Sequence, residues 1–150
     1  MSTEPTGGKK QVGIILVTHM DYGSTLLRAA EFIAGPVQDC TCIQIDSSVA
    51  VEDSVHRLQE AVKILNNGLG VLVLTDMFGG TPTNLSLSLM GSEKNVEVLT
   101  GVNLPMLLRV LQNRERPLSE LAELALAAGC EGIIAAGKVL RSKASEGKKE

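Results

Sequence analysis

Aromatic side chains are nearly missing from this sequence, which has two Phe, one Tyr and no Trp in 150 residues. Unstacked bases would find almost no planar faces to rest on. Positive charge is not in excess either: 14 Lys and Arg stand against 17 Asp and Glu, a formal net charge of −3, which argues against a nucleic-acid binder. Long apolar runs are lacking. Hydrophobic residues make up 44% of the chain but fall in short stretches broken by Gly, Pro and charge, and none is long enough to cross a bilayer, so no direct membrane insertion is expected. The opening MSTEPTGGKKQ has no extended apolar core after its lysines and does not resemble a secretory signal. Cysteine is scarce and odd in number, at three, so a disulfide framework is not expected and a cytoplasmic setting is.

What the sequence does have is a regular alternation of short β-branched runs and longer amphipathic ones. Residues 12–17, VGIILV, form a first buried strand, and from Ser24 the apolar positions Leu26, Leu27, Ala30 and Ile33 recur at helical spacing until Gly35-Pro36. A second strand spans residues 40–45. Val51, Val55, Leu58, Val62 and Leu65 then make a helical stripe that stops at Asn67-Gly68. A third strand covers 71–75 and a fourth 95–100. Helices are expected after Pro82 as far as Gly91, from Leu104 through Leu111, and from Pro117 with Gly129 as terminator. The apolar run 132–136 reads as a fifth strand. The expected fold is therefore a single α/β domain with a mainly parallel sheet in 2-1-3-4 order and helices on both faces. Residues 11–140 make up that domain, and the polar, Gly-containing segments 1–10 and 141–150 are expected to be mobile.

In parallel sheets the ligand crevice lies beyond the carboxyl ends of the strands, where the strand order reverses. The 2-1-3 order puts that point between strands one and three, whose ends are followed by His19 and Asp76. A neutral imidazole nitrogen is a nucleophile toward phosphorus when its other nitrogen is held by a partner. Asp76 suits that partner role, because a carboxylate also stabilises the positive charge that develops on the ring. Gly79, Gly80 and Thr81 come soon after Asp76, with Thr81 suited to cap a helix and Pro82 to open it. Such a turn offers backbone N–H groups to phosphate oxygens with no Cβ in the way. Nothing in this set calls for a metal or a cofactor.

Other residues invite chemistry and are read more plainly. His56 sits one step off the apolar stripe of its helix, as a solvated or half-buried side chain. Cys40 and Cys42 point to one face of the second strand as small buried hydrophobes, and Cys130 has no third ligand near it in sequence. Met20, Met77 and Met106 read first as gap-fillers. Asp21 and Tyr22 either shape the entrance to the crevice or turn the chain.

Several separated motifs, in order, carry a family likeness. They are Thr18-His19, Thr75-Asp76, Phe78 to Pro82 with Asn84, the run TGVNLPML at 100–107, and Ala128-Gly129 with Gly132. Through these the chain resembles, over nearly all of residues 12–138, the enzyme IIA component of the mannose class of the bacterial sugar phosphotransferase system. The resemblance implies that His19 accepts phosphoryl from the phosphocarrier HPr and passes it to an enzyme IIB component, with Asp76 as the partner of His19. Thr18, Thr75 and Asn84 belong to the matching motifs as supporting residues. It also implies a homodimer in which the last strand crosses to the other subunit's sheet, an arrangement that would cover an exposed apolar edge. One departure stands out: the family commonly has Gly directly after the active His, and this chain has Met20, whose side chain is expected either to narrow a partner's approach or to shift the loop. With no IIB domain following, the acceptor is expected to be a separate polypeptide. Two alternatives remain open. One is a receiver-like module phosphorylated on Asp76, and the other is a regulatory domain that senses phosphotransferase state or serves dihydroxyacetone phosphorylation. For docking over the strand ends, Met20, Met77, Phe78 and Leu104 are expected to be partly exposed.

Overall fold

Side chains alternate between the two faces of a strand, and in this chain both alternating sets are apolar, so the sheet must be covered on both sides. The computed structural model describes residues 8–148, and its strands and helices alternate as that requirement demands. In chain order they are β1 (Gly13–His19), α1 (Tyr22–Ala34), β2 (Cys40–Ile45), α2 (Val51–Leu65), β3 (Val71–Thr75), α3 (Thr81–Leu89), β4 (Val96–Thr100), α4 (Leu104–Gln112), α5 (Leu118–Glu131) and α6 (Ala136–Glu146). The sheet order is β2-β1-β3-β4, with every neighbouring pair parallel.

One face of the sheet buries Ile14, Leu16, Leu72 and Leu74 against Ala30 of α1, Met106, Leu107 and Val110 of α4, and Leu121 and Ala125 of α5. The other buries Ile15, Val17, Ile43, Ile45, Val71 and Val73 against Leu58 and Val62 of α2 and Leu85 and Leu89 of α3. Each fully buried branched side chain contributes roughly 1.5–3 kcal/mol. The strand ends are thus fixed from both sides. Register decides how far each one reaches: β1 pairs with β3 from Gly13 opposite Val71 to Val17 opposite Thr75, so Thr18 and His19 run past the last paired residue of β3.

Several boundaries differ from those expected. Thr18 and His19 belong to β1, because β2 continues alongside them and pairs His19 with Ile45. Helix α1 starts at Tyr22, ahead of Ser24. Gly129 does not end α5, which runs on to Glu131. Its role is close packing, since a Cβ at that position would lie 2.7 Å from Met106 Cε of α4.

The larger correction concerns the C-terminal part. Residues 132–136 form no strand; α6 begins at Ala136 and continues to Glu146 with no buried residue. An apolar run becomes a strand only where a neighbour supplies hydrogen-bond partners. Within this single chain 132–136 meets none, and the backbone closes locally, with Lys138 N–H donating to the Ala135 carbonyl at 2.9 Å. The segment expected to be a mobile tail from Arg141 therefore lies partly in α6, and residues 149–150 are outside the described residues. At the other end, 1–7 are likewise outside them, while 8–10 are exposed and without regular structure.

The opposite end of the sheet is tied by Arg114, which is only 5% exposed. Its Nε donates to the Val12 carbonyl at 2.9 Å and its Nη2 to the Asp39 carbonyl at 2.8 Å, and Nη1 also reaches the Gln38 carbonyl at 2.5 Å. One side chain thereby links the loop after α4 to the starts of β1 and β2. Arg114→Met, which keeps an apolar stem but leaves these carbonyls unpaired, is expected to lower the unfolding free energy by about 2–4 kcal/mol. Urea denaturation measures this, and an unchanged midpoint would mean that water replaces the three donors without cost.

Candidate active site

His19 is the last residue of β1 and Asp76 the first after β3, so the two side chains leave adjacent strand ends. Met20 turns the chain in the left-handed region, at φ 49°, and its N–H donates to the Ile45 carbonyl of β2 at 3.0 Å. Asp76 Oδ2 accepts twice from His19, from the backbone N–H at 2.9 Å and at Nδ1 over 2.7 Å. An ionised carboxylate only accepts, so the Nδ1 hydrogen bond places the ring proton on Nδ1 and leaves the lone pair of a neutral ring on Nε2. The His19 side chain is 46% exposed and that of Asp76 only 14%. The imidazole is thus half exposed while its anchor is mostly covered.

Burial pushes the Asp76 carboxyl up. The backbone N–H of His19, its ring, its charge and the Met77 N–H at 3.0 Å on Oδ1 together outweigh that effect and hold Asp76 below the usual carboxylate range.

The glycine turn meets the imidazole directly. A Cβ at Gly80 would lie 2.9 Å from His19 Cε1 and 3.5 Å from Nε2, so only glycine lets the backbone pack against this ring. Gly79 adopts φ 82°, where a side chain would be strained. Gly80 is the N-cap of α3 and provides no side-chain cap; Thr81 is the first helical residue and is exposed, and Pro82 follows in the first turn. Thr81 therefore does not cap the helix as expected. The first-turn N–H groups of α3 begin beside the Nε2 edge of His19.

Thr83, which carries no motif signal in the sequence, holds this turn from below. Its hydroxyl donates to the Met77 carbonyl at 2.6 Å. Having spent its one proton there, it accepts from Thr75 Oγ1 at 2.7 Å. Thr18 is buried and its Oγ1 accepts the Gly23 N–H at 2.8 Å, fixing the start of α1. Asn84 is exposed on α3, and among the described residues its side chain makes no hydrogen bond; only its N–H is engaged, with the Gly80 carbonyl at 3.1 Å.

Tyr22 opens α1 and lines a depression beside His19. Its hydroxyl donates to the Val102 carbonyl at 2.9 Å, and the Val102 N–H donates to the Thr75 carbonyl at 3.0 Å, so α1, β3 and the loop after β4 are linked around the site. Around His19, Met20, Met77 and Phe78 are 58%, 57% and 76% exposed, and Leu104 is half-buried. The expected apolar rim is therefore present. The other candidates stay outside it. His56 is exposed on α2, the Cys40 and Cys42 thiols are pushed up by burial to about 12 and about 11, and Cys130 is a free thiol on α5.

A family model described as EIIA-man, PTS system fructose IIA component, matches residues 13–126, a span that holds His19, Asp76 and the glycine turn. The chain belongs to this family. The mannose-specific EIIAB component of the PTS of Escherichia coli K12 is 31% identical over 137 residues, which are 90% of this chain and 41% of that protein. The chain thus spans less than half the length of that relative. The fructose-specific EIIA component of Bacillus subtilis is 29% identical over 104 residues, 69% of this chain and 71% of the relative. Among solved structures, the phosphotransferase system component EIIA from Streptococcus agalactiae superimposes with a TM-score of 0.78 at 29% identity, covering 85% of this chain and 98% of that one. The fold seen here is thus that of the EIIA proteins. Among the described residues no helix is long and apolar enough to cross a membrane.

The lowered Asp76 value sets a pH test. A carboxyl with a folded pKa below its ordinary 3.8 contributes stability that is complete above that value and is lost as pH falls through the folded one. The stability difference between the wild type and Asp76→Asn is therefore expected to shrink as pH falls from about 5 to below about 4. Urea unfolding across that range checks it; a difference independent of pH throughout would contradict the assignment.

Proposed function

We propose that this chain is a phosphoryl carrier in sugar uptake, taking phosphate onto His19 from an HPr-like phosphocarrier and passing it to an enzyme IIB component in the cytoplasm. The observation that carries the reading is the 2.7 Å contact between Asp76 Oδ2 and His19 Nδ1, which leaves Nε2 with the lone pair. In the forward step that pair forms a P–N bond while the P–N bond to the donor imidazole breaks, its electrons returning to the donor nitrogen. The His19 ring then carries positive charge, and Asp76 beside it stabilises that charge. Gly79, Gly80 and Thr81 serve as the phosphate cradle, because Gly80 backs the Nε2 edge and α3 presents its N-terminus there. In transfer to the acceptor the same P–N bond breaks, and its electrons return to Nε2.

The receiver-like alternative, with phosphate on Asp76, fits less well. Oδ2 is occupied twice by His19 and Oδ1 by the Met77 N–H, and the side chain is mostly covered. Membership of the EIIA-man family favours the histidine reading as well.

The carrier is also proposed to act as a homodimer in which residues 132–136 of one copy lie along β4 of the other. In support, β4 is an edge strand, Ile133 and Ile134 are 80% and 65% exposed, and Val139 and Leu140 of α6 are exposed as well. Ile134→Asp is expected to shift the dimer toward monomer in light scattering at micromolar concentration. A wild type that is already monomeric there would contradict the dimer.

Incubation with phosphoenolpyruvate, enzyme I and HPr, read by intact mass, tests the carrier itself. The wild type is expected to gain one acid-labile, base-stable phosphate that His19→Ala lacks. Gly80→Ala, which pushes a Cβ into the ring, should slow its formation by about 10²-fold. A hydroxylamine-sensitive phosphate on Asp76 would overturn the reading.

A further inference from the structure

Two depressions share Met20 in their lining, and one of them also includes His19. One, of about 480 Å³, opens over the first turns of α1 and is lined by His19, Asp21, Tyr22, Thr25 and Leu26 together with Met20. The other, of about 250 Å³, lies toward β2 and α2 and is lined by Ser24, Ile43, Gln44 and Arg57, again with Met20. Met20 is common to both. Its backbone is left-handed, at φ 49°, and is held there by the hydrogen bond to the Ile45 carbonyl. Glycine takes that conformation without steric cost, so the turn gains nothing from the side chain. The thioether nevertheless stands 58% exposed beside the reacting residue.

Resting on the phosphoryl-carrier reading of His19, we propose that Met20 is a specificity-determining residue for the phosphoryl donor. It is a knob that enters an apolar recess next to the phosphohistidine of the donor protein. A donor that brings its phosphorus within bonding distance of His19 Nε2 docks over the depression that His19 and Met20 line together. Met77 and Phe78, also exposed, extend the same apolar surface. A flexible, polarizable thioether suits such a contact, and an exposed apolar side chain that is buried only in the complex is the kind that carries binding energy. Met20 thus acts on recognition and leaves the P–N chemistry to His19 and Asp76.

The test uses HPr phosphorylated by enzyme I and phosphoenolpyruvate, with transfer to wild type, Met20→Gly and Met20→Leu followed by rapid quench. Met20→Gly is expected to raise KM for phospho-HPr about tenfold or more with kcat little changed. Met20→Leu, similar in volume and equally apolar, should stay within about threefold of wild type. With the donor removed, the phosphohistidine lifetime of Met20→Gly should equal that of the wild type, and its thermal midpoint should not fall. A wild-type KM in Met20→Gly, or a shortened phosphohistidine lifetime, overturns the proposal while leaving the carrier reading intact. A wild type that takes no phosphate from phospho-HPr overturns both.

Discussion

The site depends on one contact, the hydrogen bond from the imidazole of His19 to the carboxylate of Asp76. Charge-assisted bonds of this kind are short and about twice as strong as neutral ones, but this one forms only because two strand ends are held side by side. Sheet register supplies that condition. β1 runs past its last pairing with β3, so His19 turns back over the end of its neighbour and meets the residue after Thr75. The apolar layers on both faces keep the strands from sliding, because a shift would break close packing on both sides of the sheet at once. The contact thus rests on Ile14 to Val17 and Val71 to Leu74 as much as on the two residues that form it.

Above that rigid base the site is finished by close approach. Gly80 lets backbone pack against the imidazole where a Cβ would collide, and the Thr75–Thr83 hydroxyl pair with the Met77 carbonyl fixes the turn that carries it. Tyr22 links α1 to the loop after β4 on the other side. The imidazole is therefore oriented by strand ends, backed by a glycine along its Cε1–Nε2 edge and half exposed. Met20 is the exception, a side chain set in a backbone conformation better suited to glycine, and such strain persists where the surrounding structure or a function maintains it.

Much of this is legible in the sequence, and the parts that are not have physical reasons. β2, α2 and β3 lie at the residues where uninterrupted apolar patterns put them, and the adjacency of His19 and Asp76 comes from the reversal of strand order. Thr18 and His19 carry no strand signature of their own and become strand because β2 extends beside them. Gly129 reads as a helix stop, yet its place is set by contact with Met106, a tertiary fact invisible to local pattern. The run 132–136 has strand composition, but composition does not supply a neighbour, and in the single chain it gives way to α6. Thr83 escapes a reading of the sequence because a threonine in a first helical turn looks ordinary until its two partners are brought to it.

The central claim concerns a single nitrogen. In the proposed carrier, with Nδ1 engaged by Asp76, phosphate attaches to Nε2, and nuclear magnetic resonance of ¹⁵N-histidine-labelled phosphoprotein reads the attachment directly through one-bond phosphorus–nitrogen coupling. The predicted result is coupling to Nε2 of His19, with the Nδ1 proton retained. Coupling to Nδ1, or phosphorus bound to no histidine nitrogen, would contradict it.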